Sequence, residues 1–257
     1  LDKWYFNLLM KVWRSFVRKA EIENLSFSEA VAKQFSGLKV NEGHVKRVLL
    51  RLSFLEKPSN WSDSQLMKFA SELRRESKPM IIAANKVDLE DGKENYKKLK
   101  LVYPKAIMIP CSADSELALR EAAKANLIQY VPGERHFEIL GNLNEKKKED
   151  LDKIKKDVLD EFEHGTGVQA ILNTAVFDIL GYLAIFPASA NKLCDSKGRI
   201  LPDCFLLPPK STALDFAYSL HTDFGKNFIR SIDARTKRAL GKAYELKNRD
   251  ALEIVTR

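Results

Sequence analysis

The chain has 257 residues, 45% of them hydrophobic and 30% charged, which is enough for two compact domains or one large one. No apolar run approaches the length of a membrane span and no secretory signal pattern opens the chain, so we expect a cytoplasmic protein without a membrane partner. The three cysteines (Cys111, Cys194 and Cys204) and the four histidines have no metal-ligand spacing, which argues against a zinc site and a disulfide scaffold.

The net charge of +8 is concentrated at the two ends of the chain. Residues 1–60 hold 11 Lys and Arg against 6 Asp and Glu, and residues 191–257 hold 13 against 8. Residues 61–190 hold 19 against 21 and are therefore slightly acidic. Two basic flanks indicate an anionic partner such as nucleic acid, although surface lysines can also serve solubility alone.

Residues 1–57 are predicted to form a small all-helical unit. Hydrophobic residues recur at helical spacing between residues 1 and 20, with basic residues between them. A capping box begins a second helix at Ser26, Gly37 ends it, and a third helix is predicted over residues 41–54. We expect these amphipathic helices to pack as an antiparallel hairpin or bundle.

After this unit the pattern changes to alternating strands and helices. Ser62 and Gln65 form a capping box that begins a helix, and apolar runs at 80–84 and 106–110 indicate buried strands that are each followed by a helix. This alternation is typical of an α/β fold with a parallel sheet, which we assign to residues 58–185.

Three helices are predicted after the second of these strands. One lies near residues 114–128, a highly charged one covers 143–163, and a mostly apolar one covers 168–183. Mixed charges at i,i+4 spacing usually indicate a solvated helix face. The sequence Gly165-Thr166-Gly167 separates the last two helices and is interpreted as a helix stop.

Residues 186–257 have a different sequence pattern, in which prolines interrupt short apolar runs. One helix is predicted over 212–221, and strands are predicted at 228–234, 244–246 and 251–255. Several short strands and one helix in this length predict a small β-grasp-like α+β domain.

Two polar motifs follow the two predicted strands of the α/β segment. Asn85-Lys86-Val87-Asp88 comes directly after the first strand, and Cys111-Ser112-Ala113 comes after the second. Asn-Lys-x-Asp in this position is typical of the guanine-reading element of GTP-binding proteins, and Ser-Ala is typical of its companion. Cys111 has no histidine partner in the sequence and is interpreted as a packed thiol.

The chemistry of guanine explains these residue types. Guanine presents two donors on one edge, N1–H and the 2-amino group, and the carboxylate of Asp88 can accept both in a charge-assisted pair. Asn85 can donate to the N7 edge and hold neighbouring loops, and the alkyl stem of Lys86 can lie across the base. Ala113 is expected to offer its backbone N–H to O6, in a loop that Ser112 holds.

The phosphate-binding pattern G-x-x-x-x-G-K-[ST] does not occur in the chain, and no Asp-x-x-Gly switch precedes the Asn85–Asp88 motif. We therefore expect the phosphate and Mg²⁺ ligands to lie upstream of Leu1, and we assign no catalytic residue and no metal ligand here. On this expectation the chain cannot hydrolyse GTP alone.

The two motifs and the C-terminal pattern together resemble the YchF subfamily of Obg-related GTPases, in its archaeal-looking form. A basic helical segment precedes the Asn85–Asp88 motif, and Lys78–Asp88 with Pro110–Ala113 is similar to the second half of a GTPase domain. The C-terminal segment is similar to a TGS domain in six stretches: Leu201-Pro202-Asp203, Leu207-Pro208-Pro209-Lys210-Ser211-Thr212, Asp215-Phe216-Ala217, Leu220-His221-Thr222-Asp223, Ile232-Asp233-Ala234-Arg235 and Tyr244-Glu245-Leu246.

The resemblance implies an α/β fold, the second half of a P-loop GTPase domain (58–185) with an all-helical insertion (1–57) and a C-terminal β-grasp TGS domain (186–257). It also implies binding of GTP or GDP with Mg²⁺, slow hydrolysis, and association with RNA or the ribosome. The basic candidates for RNA contact in the TGS segment are Lys210, Lys226, Arg230, Arg235, Lys237 and Arg238.

Two alternatives stay open at this stage. Many YchF relatives depart from Asn-Lys-x-Asp and accept ATP, whereas this chain keeps Asn85, Lys86 and Asp88, which favours GTP. The chain could also serve as an RNA-binding TGS module in which the nucleotide is only a structural ligand. We expect a monomer.

Overall fold

The computed structural model describes residues 1–23, 25–189, 193, 199–201 and 203–257. Cys194 and Pro202, both considered above, lie outside the described residues. Contacts divide the chain into two compact units, Leu1–Met80 and Ile81–Arg257. In the described part, no helix is both long and apolar enough to cross a membrane.

The first unit consists of helices joined by short turns. Side-chain caps begin three of them: Ser26 accepts a hydrogen bond from the Glu29 amide, while Asn41 and Ser62 each form a full capping box. The helices are α1 (Asp2–Ile22), α2 (Phe27–Gln34), α3 (Glu42–Leu52) and α4 (Asp63–Ser77), with 3₁₀ turns at Ser36–Leu38 and Pro58–Asn60.

The core of this unit extends beyond the expected boundary at residue 57. Helix α4 packs against α1 and α3, and Trp61 stacks on Trp13 with ring centroids 5.5 Å apart. The indole N–H of Trp13 donates to the Pro58 carbonyl oxygen at 3.2 Å. Residues 58–80, which we assigned to the α/β segment, therefore pack with the helical unit in the structure.

The second unit begins with a two-stranded parallel sheet, β1 (Ile81–Ala84) and β2 (Ile107–Pro110). Helix α5 (Glu90–Val102) connects the two strands, and α6 (Ala113–Lys124) follows β2. The predicted α/β alternation is confirmed here. The helix predicted near 114–128 ends earlier, because Asn126 adopts a left-handed φ of 56° and the chain turns into a strand.

The connecting region contains a small hairpin and two interrupted helices. Strands β3 (Ile128–Gln129) and β4 (Glu138–Ile139) pair antiparallel. Helices α7 (Glu145–Ile154) and α8 (Val168–Asn173) each continue into a wider π-helical turn, at Lys155–Leu159 and Thr174–Ile179. The helices predicted over 143–163 and 168–183 are therefore each shorter than expected.

The last part of the chain forms a five-stranded sheet of order β6-β5-β9-β7-β8. Its central pair, β5 and β9, is parallel, and the other pairs are antiparallel. The elements are β5 (Leu183–Pro187), β6 (Phe205–Leu207), α9 (Ala213–Leu220), α10 (Thr222–Lys226), β7 (Phe228–Asp233), β8 (Ala239–Leu240) and β9 (Ala251–Thr256).

Two details of this sheet differ from the prediction. Strand β5 begins at Leu183, inside the apolar run predicted as helix, because Gly181 with φ 64° ends the preceding helical turn. The predicted strand 244–246 is only an isolated bridge between Glu245 and Thr212. The β-grasp-like arrangement is confirmed, with Ile185, Phe216 and Leu252 in its core.

Candidate functional site

The two polar motifs lie side by side at the carboxyl ends of β1 and β2. Ala84 is paired with Pro110 in the parallel register, and the Cys111 amide donates to the Ala84 carbonyl oxygen at 2.9 Å. The Val87 amide then donates to the Cys111 carbonyl oxygen at 3.3 Å. Backbone pairing therefore continues past the strands and holds the two loops together; we call them the first loop (85–88) and the second loop (111–113).

Asn85 joins the two loops through its side chain. Its Oδ1 accepts a hydrogen bond from the Ala113 amide at 3.1 Å and lies 3.8 Å from the Cys111 Sγ. Burial raises the pKa of the Cys111 thiol, which favours the neutral, packed form expected from the sequence.

The first loop presents polar side chains around one buried anchor. Val87 is fully buried, Asn85 and Lys86 are exposed, and Asp88 is partly buried. Lys86 adopts φ 69°, in the left-handed region that is uncommon for a residue with a side chain. Within the described residues, neither the Lys86 ammonium nor the Asp88 carboxylate has a hydrogen-bond or ion-pair partner, so both are available to a ligand.

Gly92, in the first turn of α5, allows this backbone conformation. A Cβ atom at this position would lie 1.9 Å from the Lys86 carbonyl oxygen and 2.8 Å from its carbonyl carbon. Both are backbone atoms that cannot rotate away, so the close approach of α5 to the first loop requires glycine here.

Ser112 fixes the second loop from within. It is fully buried and is the N-cap of α6, with its Oγ accepting from the Ser115 amide at 3.3 Å. Its own amide donates to the Thr166 carbonyl oxygen at 2.9 Å. The role of holding the loop, expected for Ser112 from the sequence, is thus consistent with its contacts.

Sequence reasoning missed the buried carboxylate behind the second loop. Glu116 is 4% exposed, and its carboxylate accepts from Thr166 Oγ1 at 2.6 Å, Tyr130 OH at 2.8 Å and Arg120 Nε at 2.6 Å. Burial alone would raise the pKa of Glu116, but the three hydrogen bonds outweigh it and the pKa lies below its usual value. Burial and the neighbouring carboxylate raise the pKa of Tyr130 to about 12.

One signal in the sequence could have indicated this network. Gly165-Thr166-Gly167 places a threonine between two glycines, and both glycines have left-handed φ values, 54° and 74°. A short segment of this kind lets the backbone approach another chain closely. We interpreted it only as a helix stop, because its partners are far away in the sequence.

The basic candidates in the C-terminal sheet do not form one cluster. Arg235, Lys237 and Arg238 lie together in the turn between β7 and β8, whereas Arg230 lies within β7. Lys226 ends α10, at the opposite end of β7 from that turn.

Two of the turn residues also contact local backbone. The Arg235 guanidinium donates to the Arg249 carbonyl oxygen at 2.7 Å, and the Lys237 ammonium donates to the Ala234 carbonyl oxygen at 2.7 Å. The sixth candidate, Lys210, lies exposed in the turn before α9 with φ 66°. Across the described residues, no group of three or more His, Cys, Asp or Glu side chains could hold a metal ion.

Two family models match the second unit. Residues 83–189 match the Obg-like GTPase YGR210-like, G4 motif-containing domain, and residues 195–256 match the TGS domain. The first match includes both loops of the candidate site, and the second covers most of the five-stranded sheet.

Curated relatives and a solved structure agree with these matches. The chain is 40% identical, over its whole length, to an uncharacterized GTP-binding protein of Methanocaldococcus jannaschii, of which it spans 64%. It is 26% identical over 83% of its length to an uncharacterized GTP-binding protein of Schizosaccharomyces pombe, of which it spans 54%.

A crystal structure of a GTP-binding protein from Pyrococcus horikoshii is similar over the whole of this chain, with a TM-score of 0.69 and 38% identity, and the chain covers 69% of it. The family models, the sequence identity and the structural match all point to the same group. This chain therefore belongs to the Obg-like GTP-binding proteins that carry a C-terminal TGS domain.

Proposed function

We propose that this chain supplies the base-reading half of a guanine-nucleotide site, in a protein that binds GTP and hydrolyses it slowly. The observation that supports this best is the 3.1 Å hydrogen bond between Asn85 Oδ1 and the Ala113 amide, which holds the two loops together. Beside this bond, the Asp88 carboxylate keeps its acceptor capacity for a ligand.

In this proposal each loop recognises different groups of the base. Asp88 accepts from N1–H and the 2-amino group of guanine, and the Ala113 amide donates to O6. The same amide is engaged by Asn85 in the structure, so the N–H is shared between Asn85 and O6 when the base enters, or it moves to O6. The phosphates and Mg²⁺ would be held by residues outside this chain.

The test is equilibrium binding of GDP, ATP and xanthosine diphosphate to the full-length protein and its Asp88→Asn variant. Asparagine offers a donor where the carboxylate offered an acceptor, so we expect GDP affinity to fall about 10- to 100-fold. Xanthosine diphosphate, which has an oxygen in place of the 2-amino group, should bind the variant better than it binds wild type.

Asp91→Asn is the matched control, because it removes the same charge from an exposed position in the first turn of α5. It should leave all three affinities unchanged. If wild type binds ATP as tightly as GDP, or if Asp88→Asn changes nothing, the guanine-specific reading is wrong and the ATP-preferring alternative takes its place.

We further propose that the protein associates with RNA or the ribosome through its basic surfaces. Lys11, Arg14 and Arg18 recur along one face of α1 and are exposed. Among the side chains that the structure describes, none of the three has an ion-pair partner, whereas Lys19 on the neighbouring face pairs with Glu23. Such an unpaired row of cations matches the electrostatic footprint of a phosphate backbone.

At the interface between α3 and α4 in the same unit, the arginines are paired with carboxylates. Arg47 and Arg51 both pair with Glu76, at 2.6 and 2.7 Å, and Arg51 and Arg75 both pair with Glu72, at 2.9 and 2.7 Å. Those arginines are largely neutralised, whereas in the described part of the chain Lys11, Arg14 and Arg18 on α1 are not.

A salt titration tests this part of the proposal. The probe is a 30-nucleotide single-stranded RNA, and its affinity for the full-length protein is measured at several salt concentrations. The slope of log affinity against log salt should fall by about 2 in a triple variant with Lys11→Gln, Arg14→Gln and Arg18→Gln. The control replaces three exposed lysines of α7, Lys146→Gln, Lys147→Gln and Lys148→Gln, and removes the same charge. Equal slopes in both variants would mean that net charge, and not the α1 face, attracts RNA.

A further inference from the structure

Thr166 contacts the second loop with both its backbone and its side chain. Its carbonyl oxygen accepts from the Ser112 amide at 2.9 Å, and its hydroxyl donates to Glu116 Oε2 at 2.6 Å. Thr166 is 1% exposed. Because Ser112 directly precedes Ala113, the contact that fixes the Ser112 amide also fixes the direction of the next peptide group.

The Glu116 carboxylate is itself held from two other directions. Tyr130 OH donates to Oε2 at 2.8 Å, and Arg120 Nε donates to Oε1 at 2.6 Å. A buried carboxylate is costly without donors, so it stays where these groups place it. Glu116 is therefore a fixed anchor, and the Thr166 hydroxyl is the group that connects this anchor to the loop.

Gly167 completes the contact. It has φ 74°, and a Cβ atom there would lie 2.0 Å from the Pro110 carbonyl oxygen. The backbone of 166–167 therefore lies directly against the start of the second loop, with no side chain between them. Two adjacent contacts, one on Pro110 and one on Ser112, constrain the peptide that carries the Ala113 N–H.

We propose that Thr166, held by Glu116, is a positioning residue that aims the Ala113 amide at the 6-oxo group of a purine nucleotide. This inference rests on the proposed base site. An N–H in a fixed position attracts the 6-oxo acceptor of guanine or hypoxanthine and opposes the 6-amino donor of adenine. The ligand class that Thr166 selects is the 6-oxopurines, whereas Asp88 selects the 2-amino group.

Three diphosphates separate these two contributions in the full-length protein. GDP has both the 6-oxo group and the 2-amino group, whereas inosine diphosphate has the 6-oxo group but no 2-amino group. In 6-thio-GDP the 2-amino group is kept, and sulfur is a weaker acceptor at position 6. Thr166→Val should lower the affinities for GDP and for inosine diphosphate by the same factor, about three- to tenfold, because the lost contact is worth roughly one hydrogen bond. The same substitution should lower the affinity for 6-thio-GDP by less than about twofold.

Two further variants control for stability and chemistry. Thr166→Ser keeps the hydroxyl and should restore the wild-type profile. Tyr244→Phe removes a hydroxyl that donates to the Asp250 carboxylate in the C-terminal sheet, with no contact to Glu116 or to the second loop, and it should leave all three affinities nearly unchanged.

The outcomes distinguish this inference from the proposed function. Suppose that Thr166→Val lowers the affinities for the three nucleotides equally, or not at all, and that Asp88→Asn still removes the preference for GDP. Thr166 then does not position the group that contacts the 6-oxo oxygen. If wild type shows no preference for GDP over ATP, the base site itself is wrong and the inference falls with it.

Discussion

Replacing Phe69 by alanine is expected to lower the free energy of unfolding of the helical unit by about 3–5 kcal/mol. Phe69 is fully buried, and its ring lies 5.1 Å from that of Trp61, 5.8 Å from Trp13 and 5.9 Å from Phe27. The substitution removes the centre of this cluster and leaves a cavity that the surrounding helices and turns cannot fill without moving. A loss of this size is a large fraction of the stability of a typical domain.

The three tryptophans of the chain, Trp4, Trp13 and Trp61, all lie in this unit, so tryptophan fluorescence during urea unfolding of the chain reports on it alone. Leu50→Ala is the control, because Leu50 is 78% exposed on α3 and should change the stability by no more than about 0.5 kcal/mol. Equal unfolding midpoints for both variants would show that the cluster does not stabilise the unit.

The packing of Phe69 also explains why the sequence placed the boundary at residue 57, whereas the structure divides the chain after Met80. The capping box at Ser62 was correctly interpreted as the start of a helix. Which unit α4 packs with depends on contacts across the sequence, such as the 2.7 Å ion pair between Arg74 and Asp2. Local patterns predict where helices begin, but they carry little information about which faces meet.

The fold class and the family were predictable because they depend on short local signals. Each parallel strand was an apolar run with a polar motif at its carboxyl end, and both strands formed where predicted. Predictions failed where one residue overrode a long apolar pattern. Gly181 ended a run that otherwise continues as a helix, and Asn126 ended the helix after the second loop.

The candidate site was predictable only in part, for the same reason. Asn85, Asp88 and Ala113 stand in motifs whose chemistry can be read from residue types, and their role in reading guanine stays a prediction. Glu116 and Thr166 are 50 residues apart and share no motif. A buried carboxylate with three donors can be recognised only when folding brings the donors together.

Gly167 lies against the start of the second loop, and Gly167→Ala is expected to destabilise the second unit by about 3 kcal/mol. A left-handed φ of 74° costs an L residue roughly 1–2 kcal/mol. The added Cβ would also lie 2.0 Å from the Pro110 carbonyl oxygen and 3.0 Å from the Cys111 Cα, and relieving such overpacking costs about 1–3 kcal/mol. The helix propensity of alanine gives no compensation, because Gly167 caps α8 from outside its first turn.

Hydrogen exchange of the chain measures where this energy is lost. The Ser112 amide, which donates to Thr166, should lose about two orders of magnitude in protection if the added methyl group pushes the 166–167 backbone off the second loop. Gly241→Ala is the matched control, because a Cβ atom there would meet nothing within 4 Å, and it should leave the Ser112 amide protected. Unchanged protection in Gly167→Ala would mean that the second loop holds its shape without this contact, and the positioning role of Thr166 would lose its structural basis.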